Sequence, residues 1–190
     1  MKEKLAKIVR VLTVPSVFSA VLCTMLYWRV EGAYASTGHY LAALCFLSFL
    51  PLMSYPTAAA VPKFQEDRRH WERTLGLIFS VAGYLGGLMM VLLTDCTPIE
   101  TVIYCTYLVS GVTLAVCTVL RFKASAHTCG CSGPIVGLSY FVSPWFLLGY
   151  LLLAAVIWAS VSLKRHSTAQ LIGGSVIPVL ALFCCRYGLM

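Results

Sequence analysis

The chain reads as an all-α, polytopic membrane bundle of six or seven transmembrane helices. Three observations predict it: uncharged apolar runs of spanning length recur along the sequence, the connections between them are short, and their basic residues gather on one side. Hydrophobic residues make up 59% of the 190 and charged residues 11%, with a mean hydropathy of +0.85. A soluble globule carries about a quarter charged residues, so most of this surface is expected to face lipid, with residues 1–190 forming one membrane domain.

The first run, Ile8–Trp28, follows Lys2, Lys4, Lys7 and Arg10. It has the charge pattern of a secretory signal but no small-residue cleavage site, and is read as a retained helix. Further helices are expected over Gly38–Val61, Thr74–Thr94, Pro98–Leu120, Ser125–Val142, Pro144–Leu163 and Ser167–Tyr187. The fourth has the clearest start: Thr97-Pro98-Ile99-Glu100 combines an N-cap, a first-turn proline and the acid of a capping box. The fifth is short and glycine-rich, and the count falls to six if it is only partly inserted. Gly83 and Gly87, and Gly133 and Gly137, are spaced for close helix approach within the chain. Trp28, Trp71 and Trp145 lie at expected interfaces, as do His39 and His70, which read as interfacial polar residues.

Counting helices in order sorts the polar connections onto two faces. Lys2, Lys4, Lys7, Arg10, Lys63, Arg68, Arg69, Arg73, Arg121, Lys123, Lys164 and Arg165 share the N-terminal face, whereas Arg29 and Arg186 lie opposite with Glu31, Asp95 and Glu100. The positive-inside rule makes the basic face cytoplasmic in a plasma (inner) membrane protein. The net charge of +7 is interleaved with spanning segments, so nucleic acid is not an expected partner. Of nine cysteines, only Cys129-Gly-Cys131 and Cys184-Cys185 are close pairs. Neither has metal-ligand or redox spacing, and no metal and no cofactor is expected.

The basic face also collects two histidines, each where a helix begins: Arg121-Phe-Lys123-Ala-Ser125-Ala-His127-Thr-Cys-Gly130, and Ser160-Val-Ser-Leu-Lys164-Arg165-His166-Ser-Thr-Ala-Gln170. Helix N-termini offer unpaired N–H groups and a positive dipole end, and with Lys123 and Arg165 nearby they suit a phosphate.

These stretches resemble the second and third motifs of the type-2 phosphatidic acid phosphatase and vanadium haloperoxidase superfamily. The second motif there reads Pro-Ser-Gly-His, where Ala124-Ser125-Ala126-His127 stands here. The third reads Ser-Arg, five residues, His, three residues, Asp; Ala159-Ser160, His166 and Gln170 align without a gap. The similarity covers roughly the last 70 residues, with Gly173 and Gly174 following in a small-residue helix. The family's first motif is absent as written; Lys63 to Arg69-His70, Arg73 in His70-Trp71-Glu72-Arg73-Thr74, and Arg121 with Lys123 are the substitutes for its basic contribution, Arg73 and Lys123 favoured.

The resemblance implies a helical membrane hydrolase of lipid phosphates or pyrophosphates. His166 would attack phosphorus and His127 protonate the leaving oxygen. Lys123, Ser125, Arg73, Arg121, Arg165 and the N–H groups from Thr128 to Gly130 would hold the phosphate, with Gln170 orienting His166 and Ser160 in support. The substrate class is a phospholipid or isoprenoid phosphate in contact with membrane lipids, with neither metal nor nucleotide required. The family places its site on the outer face, against the charge argument, and the orientation stays open. Ser160 and Gln170 stand where the family has an arginine and an aspartate, and a lost charged contact in a transition state costs about 2–4 kcal/mol. The alternatives are a headgroup-binding member of the same fold without turnover, and a small carrier. Apart from the site histidines, the helix interiors hold no titratable group suited to transport. The sequence leaves the oligomeric state open.

Overall fold

A computed structural model describes residues 2–188, with the side chain of Arg69 outside the described residues. Within them the chain is helical and holds no strand. Six stretches are long and apolar enough to cross a membrane: Lys2–Arg29, Thr37–Ala60, His70–Leu93, Pro98–Val119, Pro144–Ser162 and Thr168–Gly188. The protein is therefore an integral membrane protein. Leu77, Leu85, Leu92, Leu151 and Leu180 are all exposed on these helices, as lipid contact requires.

The expected first helix divides in two. Pro15 has no N–H and holds Val14 in the extended region (φ −60°, ψ 129°), so α1 (Lys2–Leu12) ends and α2 (Pro15–Arg29) begins afresh. α1 lays the buried Ala6 toward the bundle, packs on the helix Gly149–Ser162, and leaves its lysines exposed. The second span is also interrupted: α3 (Thr37–Leu44) passes through a π turn (Cys45–Phe49) into α4 (Leu50–Leu52) and α5 (Ser54–Ala60). The π turn ends two residues before Pro51, which cannot donate a ladder bond.

α6 (Arg68–Leu93) starts at Asp67, whose side chain accepts the His70 N–H. α7 (Pro98–Val119) has the expected capping box, with Thr97 and Glu100 each holding the other's backbone N–H. α8 (Ala126–Phe141) follows, then a 3₁₀ turn (Pro144–Leu148) leading into α9 (Gly149–Ser162), and finally α10 (Thr168–Gly188).

α8 has 16 residues, about 24 Å of helix, which is short for a span taken alone. Its neighbours decide its path. The Thr128 hydroxyl donates to the Leu171 carbonyl (3.0 Å) and the Ser132 hydroxyl to the Ser175 carbonyl (2.8 Å). Further along, Arg186 Nε donates to the Tyr140 hydroxyl (3.1 Å). α8 thus runs parallel to α10 from one end of the bundle to the other, as the central, largely buried helix. The glycine pairs serve this packing: Gly83 abuts the Phe46 backbone, Gly87 the Tyr104 ring, Gly133 Pro178, and Gly137 Leu22.

Candidate functional site

Both histidine stretches are delivered by the same device. α7 ends with the Arg121 N–H on the Thr118 carbonyl (3.0 Å) and the Phe122 N–H on the Cys117 carbonyl (2.8 Å). α9 ends with the Lys164 N–H on Val161 (2.9 Å) and the Arg165 N–H on Ser160 (3.1 Å). Each is a Schellman turn with a basic residue in the left-handed position that glycine usually fills, at φ 64° for Arg121 and 50° for Lys164. That conformation costs a non-glycine residue about 1–2 kcal/mol, and strain of this kind clusters at functional loops. After each turn a serine caps the next helix: Ser125 accepts the Thr128 N–H, and Ser167 accepts the Gln170 N–H.

The two capped starts are locked together. The Ser125 N–H donates to the Gln170 carbonyl (2.9 Å), and Gly174 lets α10 approach so closely that a Cβ there would collide with the Ser125 carbonyl and the Thr128 hydroxyl. Ser125 and Thr128 are fully buried. His127 and His166, far apart in sequence, lie on this shared platform and within electrostatic reach of each other.

The residues around them come from four helices and two loops. Arg10, near the end of α1, donates from Nη1 to the hydroxyl of the buried Ser160 at 2.7 Å, across 150 residues of sequence. Arg10 and Arg165 both act on the His127 ring, and Arg10 and Arg73 on the His166 ring. His166 is bonded to the Gln170 side chain and the Lys123 carbonyl. Burial pushes its imidazole below the ordinary value of 6.5; these two acceptors oppose the shift, and the arginines reinforce it. A half-buried, neutral imidazole in a cationic field is the result.

His127 meets the break between α1 and α2. Its Nε2 is 3.4 Å from Thr13 Oγ1, and the Thr13 hydroxyl proton is already given to the Val9 carbonyl at 2.7 Å. Thr13 can only accept from the ring, so Nε2 carries the proton and Nδ1 is the nitrogen left for proton exchange.

Four expected phosphate ligands sit differently: Ser125 is fully buried, its N–H given to the Gln170 carbonyl and its hydroxyl accepting the Thr128 N–H, so it caps α8 and joins it to α10 instead of facing a headgroup. Gly130 is the fifth residue of α8, past the four N–H groups a helix leaves unpaired, and is packed on Pro15. The Thr128 and Cys129 N–H groups are taken by Ser125 as well. The amides left at this helix end are those of Ala126 and His127. Arg121 is exposed, shapes the turn, and is not among the groups acting on either histidine. Lys123 reaches His166 through its carbonyl, while its side chain is exposed.

Gln170 has a second task, since its Oε1 also accepts the Ser167 N–H (3.1 Å) in a capping box at the start of α10. Arg10 and Thr13 are the site residues that motif reading missed. Pro15 was the available signal, because a break at that residue turns the end of α1 onto the bundle. A groove of about 380 Å³ on the other flank of α2, lined by Val17, Ala20, Val21, Thr24 and Leu52, is separate from this cluster.

Comparison with family models, with curated proteins and with solved structures returns no match.

Proposed function

We propose that the protein is a membrane-embedded phosphohydrolase acting on a lipid phosphate or pyrophosphate in the plasma (inner) membrane, with the headgroup held at the basic end of the bundle. One observation carries this reading. Arg10 is hydrogen-bonded to Ser160, at the position where the resembled motif has its arginine. A guanidinium missing from the motif is thereby supplied from α1, beside both histidines.

In this reading a ring nitrogen of His166 attacks phosphorus as the bond to the lipid oxygen breaks, and His127, which takes up a proton at Nδ1 together with the anionic headgroup, passes that proton to the departing oxygen. Water then attacks the phosphohistidine, with His127 taking a proton back, and inorganic phosphate leaves. Arg10, Arg165 and Arg73 stabilise charge on the transferring group, and the Ala126 and His127 amides bond its oxygens. The Lys123 carbonyl and Gln170 hold the His166 ring, as a carboxylate would, but without stabilising an imidazolium.

A second reading, a headgroup binder without turnover, draws on that last feature. Gln170 divides its oxygen between the ring and the helix cap, and neither His166 acceptor is charged.

The test is phosphate release by the purified protein in detergent from phosphatidic acid, phosphatidylglycerol phosphate, undecaprenyl pyrophosphate and lipid A. The expected result is release from at least one substrate, absent in His166→Ala and steeply reduced in His127→Ala, with an acid-labile phosphoprotein trapped on quenching. A folded protein that is stabilised by these lipids and releases nothing would establish the binder instead.

A further inference from the structure

We propose that His39, Cys96 and Glu100 form a binding site for a divalent cation of the zinc type, at the end of the bundle opposite the histidine–arginine cluster. The three come from separate places: His39 from the first turn of α3, Cys96 from the loop between α6 and α7, and Glu100 from the first turn of α7. His39 Nδ1, Cys96 Sγ and a Glu100 oxygen all lie within 4.8 Å of one another.

The geometry separates a metal site from a catalytic relay. In a relay, an acid and a nucleophile use opposite nitrogens of the imidazole. Here both partners converge on the same one: Glu100 Oε1 is 2.8 Å from His39 Nδ1, and Cys96 Sγ is 3.9 Å from it. Three donors of three kinds around one point are what a cation requires. Zinc bonds of about 2.0–2.3 Å in a tetrahedron put neighbouring donors about 3.3–3.7 Å apart. The His39–Glu100 pair needs only to open by about half an ångström to meet that spacing. Water completes the fourth position on the side where His39 keeps 17% of its side chain exposed.

The carboxylate is held in advance. Glu100 is 1% exposed, and its Oε2 accepts the Thr97 N–H (2.6 Å) and the Ala35 N–H (3.3 Å), so Oε1 is the oxygen turned to His39. Bound cation, thiolate and carboxylate sum to zero charge, which suits a half-buried site. Without a cation the Cys96 thiol keeps its proton: burial, Glu100 and Asp95 push it up, against a lowering hydrogen bond with Thr94. On binding, that proton passes to solvent and His39 takes its Nε2–H tautomer. Tyr104, whose hydroxyl is buried without a partner among the described residues, shares with Glu100 the wall of a void too small for water. The spacing of the cysteines gave no hint of this, because the site holds a single cysteine and its histidine lies 57 residues from Cys96.

The experiment is titration of the full chain in detergent with Co²⁺, which stands in for Zn²⁺ and reports thiolate ligation by a near-ultraviolet charge-transfer band. One Co²⁺ per chain, displaced by Zn²⁺, is expected. The band should vanish in Cys96→Ser and His39→Ala and persist in Cys45→Ser and Cys184→Ser, which remove exposed thiols. In the wild-type chain, Zn²⁺ should also protect Cys96 from maleimide. No band at saturating Co²⁺, a band that survives Cys96→Ser, or Cys96 labelling indifferent to Zn²⁺ would overturn the proposal.

Discussion

The two ends of this bundle treat histidine in opposite ways. At one end His39 lies 2.8 Å from a buried carboxylate and close to a thiol, a setting that suits a cation. At the other, His127 and His166 stand in the fields of Arg10, Arg73 and Arg165, and the groups bonded to His166 are neutral acceptors. That setting suits an anion. The residue type is the same, and the sign of the surrounding charge decides what it is fit to bind.

The largest expected effect tests the basic end. His166→Ala removes the proposed nucleophile and should lower phosphate release by about 10³-fold or more, measured on the most active lipid of the panel. Release that survives this change would make the cationic end a binding surface and erase its contrast with the anionic one. Arg10→Gln comes next, with an expected loss of about 10²–10³-fold, the range for one charged transition-state contact. Glutamine can still bond the Ser160 hydroxyl, so a fall in kcat with the fold retained assigns the effect to the guanidinium charge.

Much of this architecture was legible in the sequence, for identifiable reasons. Apolar runs define spans because lipid offers the backbone no partner, and the Thr97–Glu100 box marks a boundary because capping is local chemistry. His127 and His166 were legible because each stands beside a helix start with a serine cap. Arg10 was not, since its bond to Ser160 depends on a break at Pro15 and a docking of α1 on α9 that no local pattern encodes. The place of Gly130 was not legible, because the motif does not locate the N-cap, which lies five residues earlier at Ser125 and puts Gly130 past the unpaired N–H groups. His39 read as an interfacial residue because Glu100 and Cys96 reach it only through the folded loops.

At the anionic end the effect should fall on stability. Glu100→Ala removes the acceptor for the Thr97 and Ala35 amides and leaves His39 without its partner. A buried group with several such bonds contributes about 2–4 kcal/mol, so a clear drop in Tm in detergent is expected. An unchanged Tm would mean that neither the Glu100 network nor a cation held by Glu100 orders this end of the bundle. Gln170→Glu is a smaller change with the opposite sign. Glutamate preserves the capping box with Ser167 and returns a charge to His166, so release should rise by about tenfold, below the full 2–4 kcal/mol because the carboxylate is shared with the cap.

The smallest effect is in the pH dependence, and it reads the field directly. Burial and the charges of Arg10 and Arg73 hold His166 below 6.5, so it stays neutral where an ordinary histidine is protonated. Phosphohistidine formation in a single turnover should therefore persist as pH falls through 6.5 and decline only below it. Stability follows the same sign: the unfolded chain takes up the proton first, so the contribution is fully present above 6.5 and is lost as pH falls through the lower, folded value. Arg10→Gln removes one of the lowering charges and should move the acid limb of the residual activity up toward 6.5. A limb that does not move would confine Arg10 to its bond with Ser160. The cationic field at this end would then rest on Arg73 and Arg165 alone, and the contrast with the His39 end would be narrower by one charge.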